Sequence, residues 1–164
     1  MALFEIRKIL VGLDSSPRAS HVLEAAVSLA QRFGAKLVLV NSIGIPFDFP
    51  ADALGLSPTA LPGIMEEAAR RDLEARARTL PPDLAHKVDV QIGTPWQVVC
   101  NLAKEEDVDL IVIGSHGYSG LDRVIGTTAG RIVNHADRPV LVVRAKPGEK
   151  IGRASCRERV SLNV

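Results

Sequence analysis

Cysteine and aromatic residues are scarce in this sequence, and long apolar runs are missing from it. Its two cysteines, Cys100 and Cys156, stand far apart, with no CxxC pair and no metal-ligand spacing. A disulfide or zinc framework is therefore not expected. No apolar run approaches the roughly 18 residues that a membrane-spanning helix needs, and the opening segment MALFEIRK lacks the apolar stretch of a secretory signal. We expect a cytoplasmic protein with no membrane partner.

The charge balance argues against another class of partner. The chain carries 20 Lys and Arg residues against 19 Asp and Glu residues, a formal net charge of +1 at pH 7. Domains that bind nucleic acid usually carry a clear excess of basic residues on one face. We therefore expect no nucleic acid partner. With 46% hydrophobic and 24% charged residues in 164, the composition is that of one globular domain with a sizeable core.

The last segment of the chain, residues 147–164, differs from the rest. It continues neither a helical nor a strand periodicity. Such a segment is typical of sequence appended by an expression vector, and a short native tail would look the same. We assign residues 1–146 to the globular domain and residues 147–164 to a flexible tail.

What the sequence does have is a regular alternation of strand-like and helix-like segments. Runs of β-branched and aliphatic residues alternate with helical patterns, which is typical of parallel strands joined by crossover helices. The expected fold is an open, Rossmann-like α/β sheet of five parallel strands with helices on both faces. The predicted strands are Lys8 to Leu13, Lys36 to Asn41, Val88 to Ile92, Asp109 to Gly114 and Pro139 to Arg144.

The helices between these strands carry start and stop signals. The first is predicted to have Ser16 as its N-cap and to end before Gly34. A second is predicted from about Pro62 to Leu80. Thr94 and Gln97 form a capping-box pattern that predicts the start of a third.

Asp14 is the first candidate for chemistry, because ligands of such sheets bind outside the carboxyl ends of the strands. It directly follows the first predicted strand. There its carboxylate would accept hydrogen bonds from a ribose or help to hold a cation. Capping of the following helix near Ser16 is the alternative, and position alone does not separate the two.

The segment GSHGYSGLDRVIGTT, which follows the fourth predicted strand, is the second candidate. Gly114 and Gly117 would allow a positive φ and a close approach of N–H groups to a ligand. Gly126, Thr127 and Thr128 open the next helix, so that free N–H groups lie at the positive end of its dipole. The pattern predicts a phosphate site. The alternative is a glycine-rich turn followed by a Thr-capped helix.

Motifs of several enzyme classes are absent. The sequence contains no GxGxxG after the first strand, no GxxxxGK[ST], no HExxH and no GxSxG. His116 fits a polar loop residue better than a catalytic base. We assign no catalytic residue and no metal ligand from the sequence.

Two stretches, KILVGLDSS and IGSHGYSGLDRVIGTTAGRIVNHADRPVLVV, resemble the universal stress protein family, and the resemblance covers nearly the whole chain to about Arg144. It implies a single α/β domain with strand order 3-2-1-4-5 and, in many members, ATP binding through G-x2-G-x9-G-[ST]. It would place Asp14 at the ribose and adenine, and the backbone around Asn41 and Ser42 at the adenine. The complete set of candidate binding residues is Asp14, Ser15, Asn41, Ser42, Gly114, His116, Gly117, Gly126, Thr127 and Thr128.

One departure from the family pattern concerns the spacing of the glycines. Eight residues separate Gly117 from Gly126, one fewer than the signature. If the deletion lies in the loop, Gly126 and Thr127 are the signature pair. We prefer this alignment, because a slip inside the helix would turn its apolar face by about 100°.

The resemblance implies a stress-response or signalling protein that binds ATP, or ADP or AMP, as a regulatory ligand, with Mg²⁺ as a candidate companion ion. Two alternatives stay open: a weak ATPase or phosphotransfer enzyme that uses the same site, and a nucleotide-free structural dimer. The resemblance also implies a homodimer paired through the strand Pro139 to Arg144. An unbroken VLVV segment at the edge of a sheet is consistent with such pairing.

Overall fold

The computed structural model describes residues 5–44, 60–115 and 126–144, with backbone only at Ala85 and His86. The predicted tail, 147–164, lies outside these residues. Strands and helices alternate throughout: β1 (Lys8–Gly12), α1 (Ala19–Phe33), β2 (Lys36–Ile43), α2 (Leu61–Arg78), β3 (Ala85–Ile92), α3 (Pro95–Glu105), β4 (Leu110–Gly114), α4 (Thr127–His135) and β5 (Val140–Val143).

The strands form one sheet in the order β3-β2-β1-β4-β5, and every neighbouring pair is parallel. Leu10 of β1 pairs with Val38 of β2 on one side and with Ile111 of β4 on the other. The predicted fold class and strand order are confirmed.

The sheet has a core on each face. Ile9 and Val11 point to the face that α1 and α2 cover, whereas Leu10 points to the face that α3 and α4 cover. All three side chains are fully buried. This burial on both faces explains why β1 is a continuous apolar run and not an alternating one.

Some element boundaries differ from the prediction. β3 begins at Ala85, three residues before the predicted Val88, and β2 runs on to Ile43. Ile43 pairs with Ile92, so the ladder between β2 and β3 continues for two residues past Asn41, the predicted end of the strand. Pairing with a neighbouring strand, and not local composition, sets these limits.

The predicted start of the first helix was wrong by a few residues. α1 begins at Ala19 with Arg18 at the N-cap, and Ser16 makes no cap. Instead, the Ser16 hydroxyl donates to Asp14 Oδ1 at 2.6 Å. The predicted end is confirmed, because Gly34 is in the left-handed conformation at φ 67° and ψ 29°.

The capping box predicted at the third helix is not formed by its side chains. Thr94 is the N-cap of α3, but its side chain makes no capping hydrogen bond. Its carbonyl oxygen accepts from the N–H groups of Gln97 and Val98 at 3.0 and 3.1 Å. Within the described residues, no helix has the length and apolarity needed to cross a membrane.

Candidate functional site

A cavity of about 380 Å³ opens at the carboxyl ends of β1, β2, β4 and β5. The chain leaves β1 toward α1 on one face and leaves β4 toward α4 on the other, so this is the point at which the strand order reverses. Seven of the ten predicted binding residues line the cavity: Asp14, Asn41, Ser42, Gly114, Gly126, Thr127 and Thr128.

Asp14 is held by the turn that leads into α1. Its Oδ1 accepts from the N–H of Ser16 at 3.1 Å and from the hydroxyl of Ser16 at 2.6 Å. Ser16 itself is buried, with 4% of its surface exposed. The carboxylate therefore stabilises the turn before α1 while it lines the cavity. It does not cap the helix, because α1 begins at Ala19 with Arg18 at the N-cap and no side-chain capping hydrogen bond.

The end of β2 forms another wall. Asn41 is buried and lines the cavity. Ser42 donates from its hydroxyl to the carbonyl oxygen of Gly93 at 2.9 Å, which ties β2 to the turn before α3. Val40, Pro95 and Val99 lie around the same cavity. This side combines buried apolar groups with backbone polar groups at a strand end, which suits a flat, partly apolar ring.

The start of α4 forms the wall on the other side. Gly126 is the N-cap, and no side chain caps the helix. Thr127 and Thr128 are exposed in the first turn. First-turn N–H groups have no partner within a helix, and they lie at the positive end of its dipole. The alternative of a Thr-capped helix does not fit this geometry, whereas an anion site does.

The Gly114 backbone differs from the expectation. Gly114 is the last residue of β4 and pairs with Val143, so it is extended and not left-handed. The predicted positive φ was wrong at this position, because the ladder with β5 continues through it. Gly117 and His116, also predicted to bind, lie outside the described residues.

Ser15 is not among the residues that line the cavity, and its side chain is exposed. The turn from Asp14 to Ser16 directs the Ser16 hydroxyl, and not Ser15, to the carboxylate. The structure therefore separates Ser15 from the other predicted residues of this loop.

Sequence reasoning missed several polar lining residues: Ser16, Arg18, His21, Ser115 and Arg144. Arg18 and His21 belong to the start of α1, and Arg144 follows β5. The sequence indicated only the general region of these residues, because each of them follows a strand whose carboxyl end borders the cavity. It did not indicate which of their side chains would line the cavity.

The cavity carries mixed charge. Among the described lining residues, Asp14 is the one carboxylate, against the guanidinium groups of Arg18 and Arg144. No group of three or more His, Cys, Asp or Glu side chains suited to a metal ion occurs in the described part of the chain. A divalent cation here would need ligand atoms from a bound molecule as well as from Asp14.

Comparison with known proteins identifies the family. Residues 5–144 match the model of the universal stress protein family, and the chain belongs to that family. Universal stress protein A homolog 1 of Coxiella burnetii is 32% identical over 149 residues, which span 85% of this chain and 97% of that protein. The sequence resemblance is thus confirmed.

Solved structures share the fold. Universal stress protein UspA from Lactobacillus plantarum superposes with a TM-score of 0.65 at 30% identity, covering 85% of this chain and 99% of its own. A universal stress protein from Archaeoglobus fulgidus, solved in complex with dAMP, has a TM-score of 0.58 at 22% identity and covers 84% and 98%. At that identity the second likeness shows the fold alone.

Proposed function

We propose that the protein binds an adenine nucleotide, ATP foremost, in the cavity at the sheet edge, and that the nucleotide is a regulatory ligand in a stress or signalling response. One observation carries the proposal. The walls of the cavity follow the order of the parts of a nucleotide: an apolar wall beside Asn41, then Asp14, then the uncapped start of α4.

The dimensions agree with this order. Neighbouring strands lie about 4.8 Å apart, so that the ends of β2, β1, β4 and β5 span about 14 Å. A purine at the end of β2 would place the ribose near Asp14 and the phosphates near Gly126. The carboxylate accepts hydroxyl hydrogen bonds, and the helix start donates to anions. The dAMP bound by the Archaeoglobus fulgidus relative supports an adenine nucleotide as the ligand class.

A regulatory role fits the described residues better than hydrolysis. Asp14 Oδ1 is already engaged by Ser16, so this carboxylate is suited to hold a turn and a ribose and not to activate water. A bound nucleotide would connect segments that follow three different strands, and binding would shift the protein toward the conformation in which they are ordered.

The proposal includes a homodimer paired through β5. This strand is one edge of the sheet, and Leu141 keeps 39% of its surface exposed. Val140, Val142 and Val143 are only partly buried. Antiparallel pairing with a second copy about a two-fold axis would cover these groups and satisfy the edge.

Mass spectrometry under non-denaturing conditions tests the ligand assignment. The protein as purified should carry the added mass of ATP, ADP or AMP. After it is stripped of ligand and incubated with ATP and GTP, it should again carry the mass of an adenine nucleotide. Added mass from GTP alone would overturn the choice of adenine. Steady release of ADP and phosphate at many turnovers per protein would overturn the regulatory role in favour of an ATPase.

A further inference from the structure

Two arginines line the cavity outside the glycine and threonine pattern. Arg18 is the N-cap residue of α1, and Arg144 directly follows β5. Neither belongs to the residues that the sequence pattern placed around a nucleotide. Both are permanently charged at any physiological pH. Their position in the cavity therefore bears on which nucleotide it prefers.

Two backbone hydrogen bonds fix the place of Arg144. The Ser115 N–H donates to the carbonyl oxygen of Val143 at 2.9 Å, and the Gly126 N–H donates to the carbonyl oxygen of Ser115 at 2.8 Å. Arg144 thus follows Val143, which is hydrogen-bonded to Ser115 at the end of β4. Ser115 is in turn hydrogen-bonded to Gly126 at the start of α4. Its backbone lies beside the helix start that we assign to the phosphates.

The strand order gives the cavity a direction. The apolar wall with Asn41 is at the end of β2, whereas Arg144 is at the end of β5, with β1 and β4 between them. A nucleotide bound with its base at β2 must extend its phosphates toward β5. In that orientation, each phosphate beyond the first would bring its negative charge closer to Arg144.

Arg18 extends this positive charge to the α1 side of the cavity. α1 packs on the face that also holds the partly buried Val143, next in the chain to Arg144. The first turn of α1 and the end of β5 both line the cavity. Arginine can donate two hydrogen bonds to one phosphate group. The phosphate of a monophosphate would lie deeper in the cavity and would not reach these arginine side chains.

We infer that Arg144, together with Arg18, selects for the number of phosphates, so that the cavity binds ATP in preference to AMP. This inference rests on the proposed function. Arg144 is exposed, so solvent weakens its contribution. Removal of its charge should lower ATP affinity about fivefold and AMP affinity by less than about twofold.

The test is calorimetric titration of the nucleotide-stripped full chain with ATP and with AMP. The variants are Arg144→Gln, Arg18→Gln and the double substitution. Arg131→Gln is the matched control, because Arg131 is an exposed arginine of α4 that does not line the cavity. Arg144→Gln and Arg18→Gln should each lower the ratio of the AMP Kd to the ATP Kd, because ATP loses more affinity than AMP. The double variant should lower this ratio further, and the control should leave it unchanged.

The outcomes separate the inference from the proposed function. Equal losses for ATP and AMP in Arg144→Gln would show a structural role, and no loss for either would show no role. Each of these results overturns the inference and leaves the proposed function untouched. Failure of the unsubstituted protein to bind either nucleotide would overturn the proposed function and the inference with it. Unfolding curves of each variant show whether a lost affinity reflects a lost fold.

Discussion

The backbone N–H of Gly126 donates a 2.8 Å hydrogen bond to the carbonyl oxygen of Ser115. This bond joins the residue after β4 to the N-cap of α4, and Ser115 is also bonded to Val143 of β5. Three elements thus meet at one point beside the cavity. The arrangement supports Gly126 and Thr127 as the signature pair, because α4 begins at Thr127 and buries its apolar face from Ala129 onward.

The first prediction concerns the two tasks of Asp14. In Asp14→Asn the amide oxygen still accepts from Ser16, but the negative charge is lost. We expect ATP affinity to fall several-fold, with the free energy of unfolding nearly unchanged. Asp14→Ala removes both hydrogen bonds and should also destabilise the fold by about 1 kcal/mol. Calorimetry and urea unfolding measure the two effects. An Asp14→Asn protein with normal affinity would show that the carboxylate serves the turn alone.

The second prediction concerns the end of α1. A Cβ on Gly34 would meet no atom within 4 Å, so Gly34→Ala should cause no steric clash with other residues. Any loss of stability therefore comes from placing alanine in the left-handed conformation at φ 67°. We expect about 1 kcal/mol of destabilisation in urea unfolding. Gly63→Ala is the control, since Gly63 also has open space and lies in the first turn of α2. It should stabilise by about 0.5 kcal/mol. Equal effects of the two substitutions would contradict the account of Gly34.

The third prediction concerns the thiol of Cys100, which lies buried between α3 and the sheet. Burial raises the pKa of Cys100, so that less thiolate forms at mildly alkaline pH than for an ordinary cysteine. In a Cys156→Ser background, we expect slow reaction with a disulfide reagent at pH 8 and fast reaction after unfolding in urea. Fast reaction of the folded protein would show that this part of the core is open to solvent.

The fourth prediction concerns the edge at β5. Leu141→Lys places a charge on an exposed position of the edge strand, and edge charges oppose strand pairing. We expect the variant to be a folded monomer by light scattering, and we expect the unsubstituted chain to be a dimer. Ile64→Lys changes a similarly exposed residue on α2 and should leave the dimer intact. A dimeric Leu141→Lys protein would place the interface elsewhere.

The general architecture was predictable because it depends on patterns that the sequence carries locally. Continuous apolar runs such as residues 37–40 mark strands buried on both faces, and Gly34 marks the end of a helix. The start of α1 was not predictable in the same way. Ser16 has the chemistry of an N-cap, and only the structure shows that its hydroxyl is taken by Asp14.

Some residues of the candidate site were likewise predictable from local sequence, and others were not. Asp14 and Gly126 stand at strand and helix ends, where local pattern is informative. Arg18 and Arg144 are more than a hundred residues apart in the chain, and they share a cavity only because β5 adds to the sheet beside β4. The extended backbone of Gly114 also follows from that pairing. Such features depend on tertiary neighbours, and composition near each residue does not report them.

The central claim is that the cavity between α1 and α4 binds an adenine nucleotide. Calorimetric titration of nucleotide-stripped protein with ATP tests it most directly, with thermal unfolding as a second readout. We predict a Kd of about 1–100 μM, which corresponds to roughly −8 to −5.5 kcal/mol, and weaker binding of GTP. Saturating ATP should also raise the unfolding temperature, because ligand binds the folded state. No heat and no thermal stabilisation at millimolar ATP would contradict the claim and favour a nucleotide-free structural dimer.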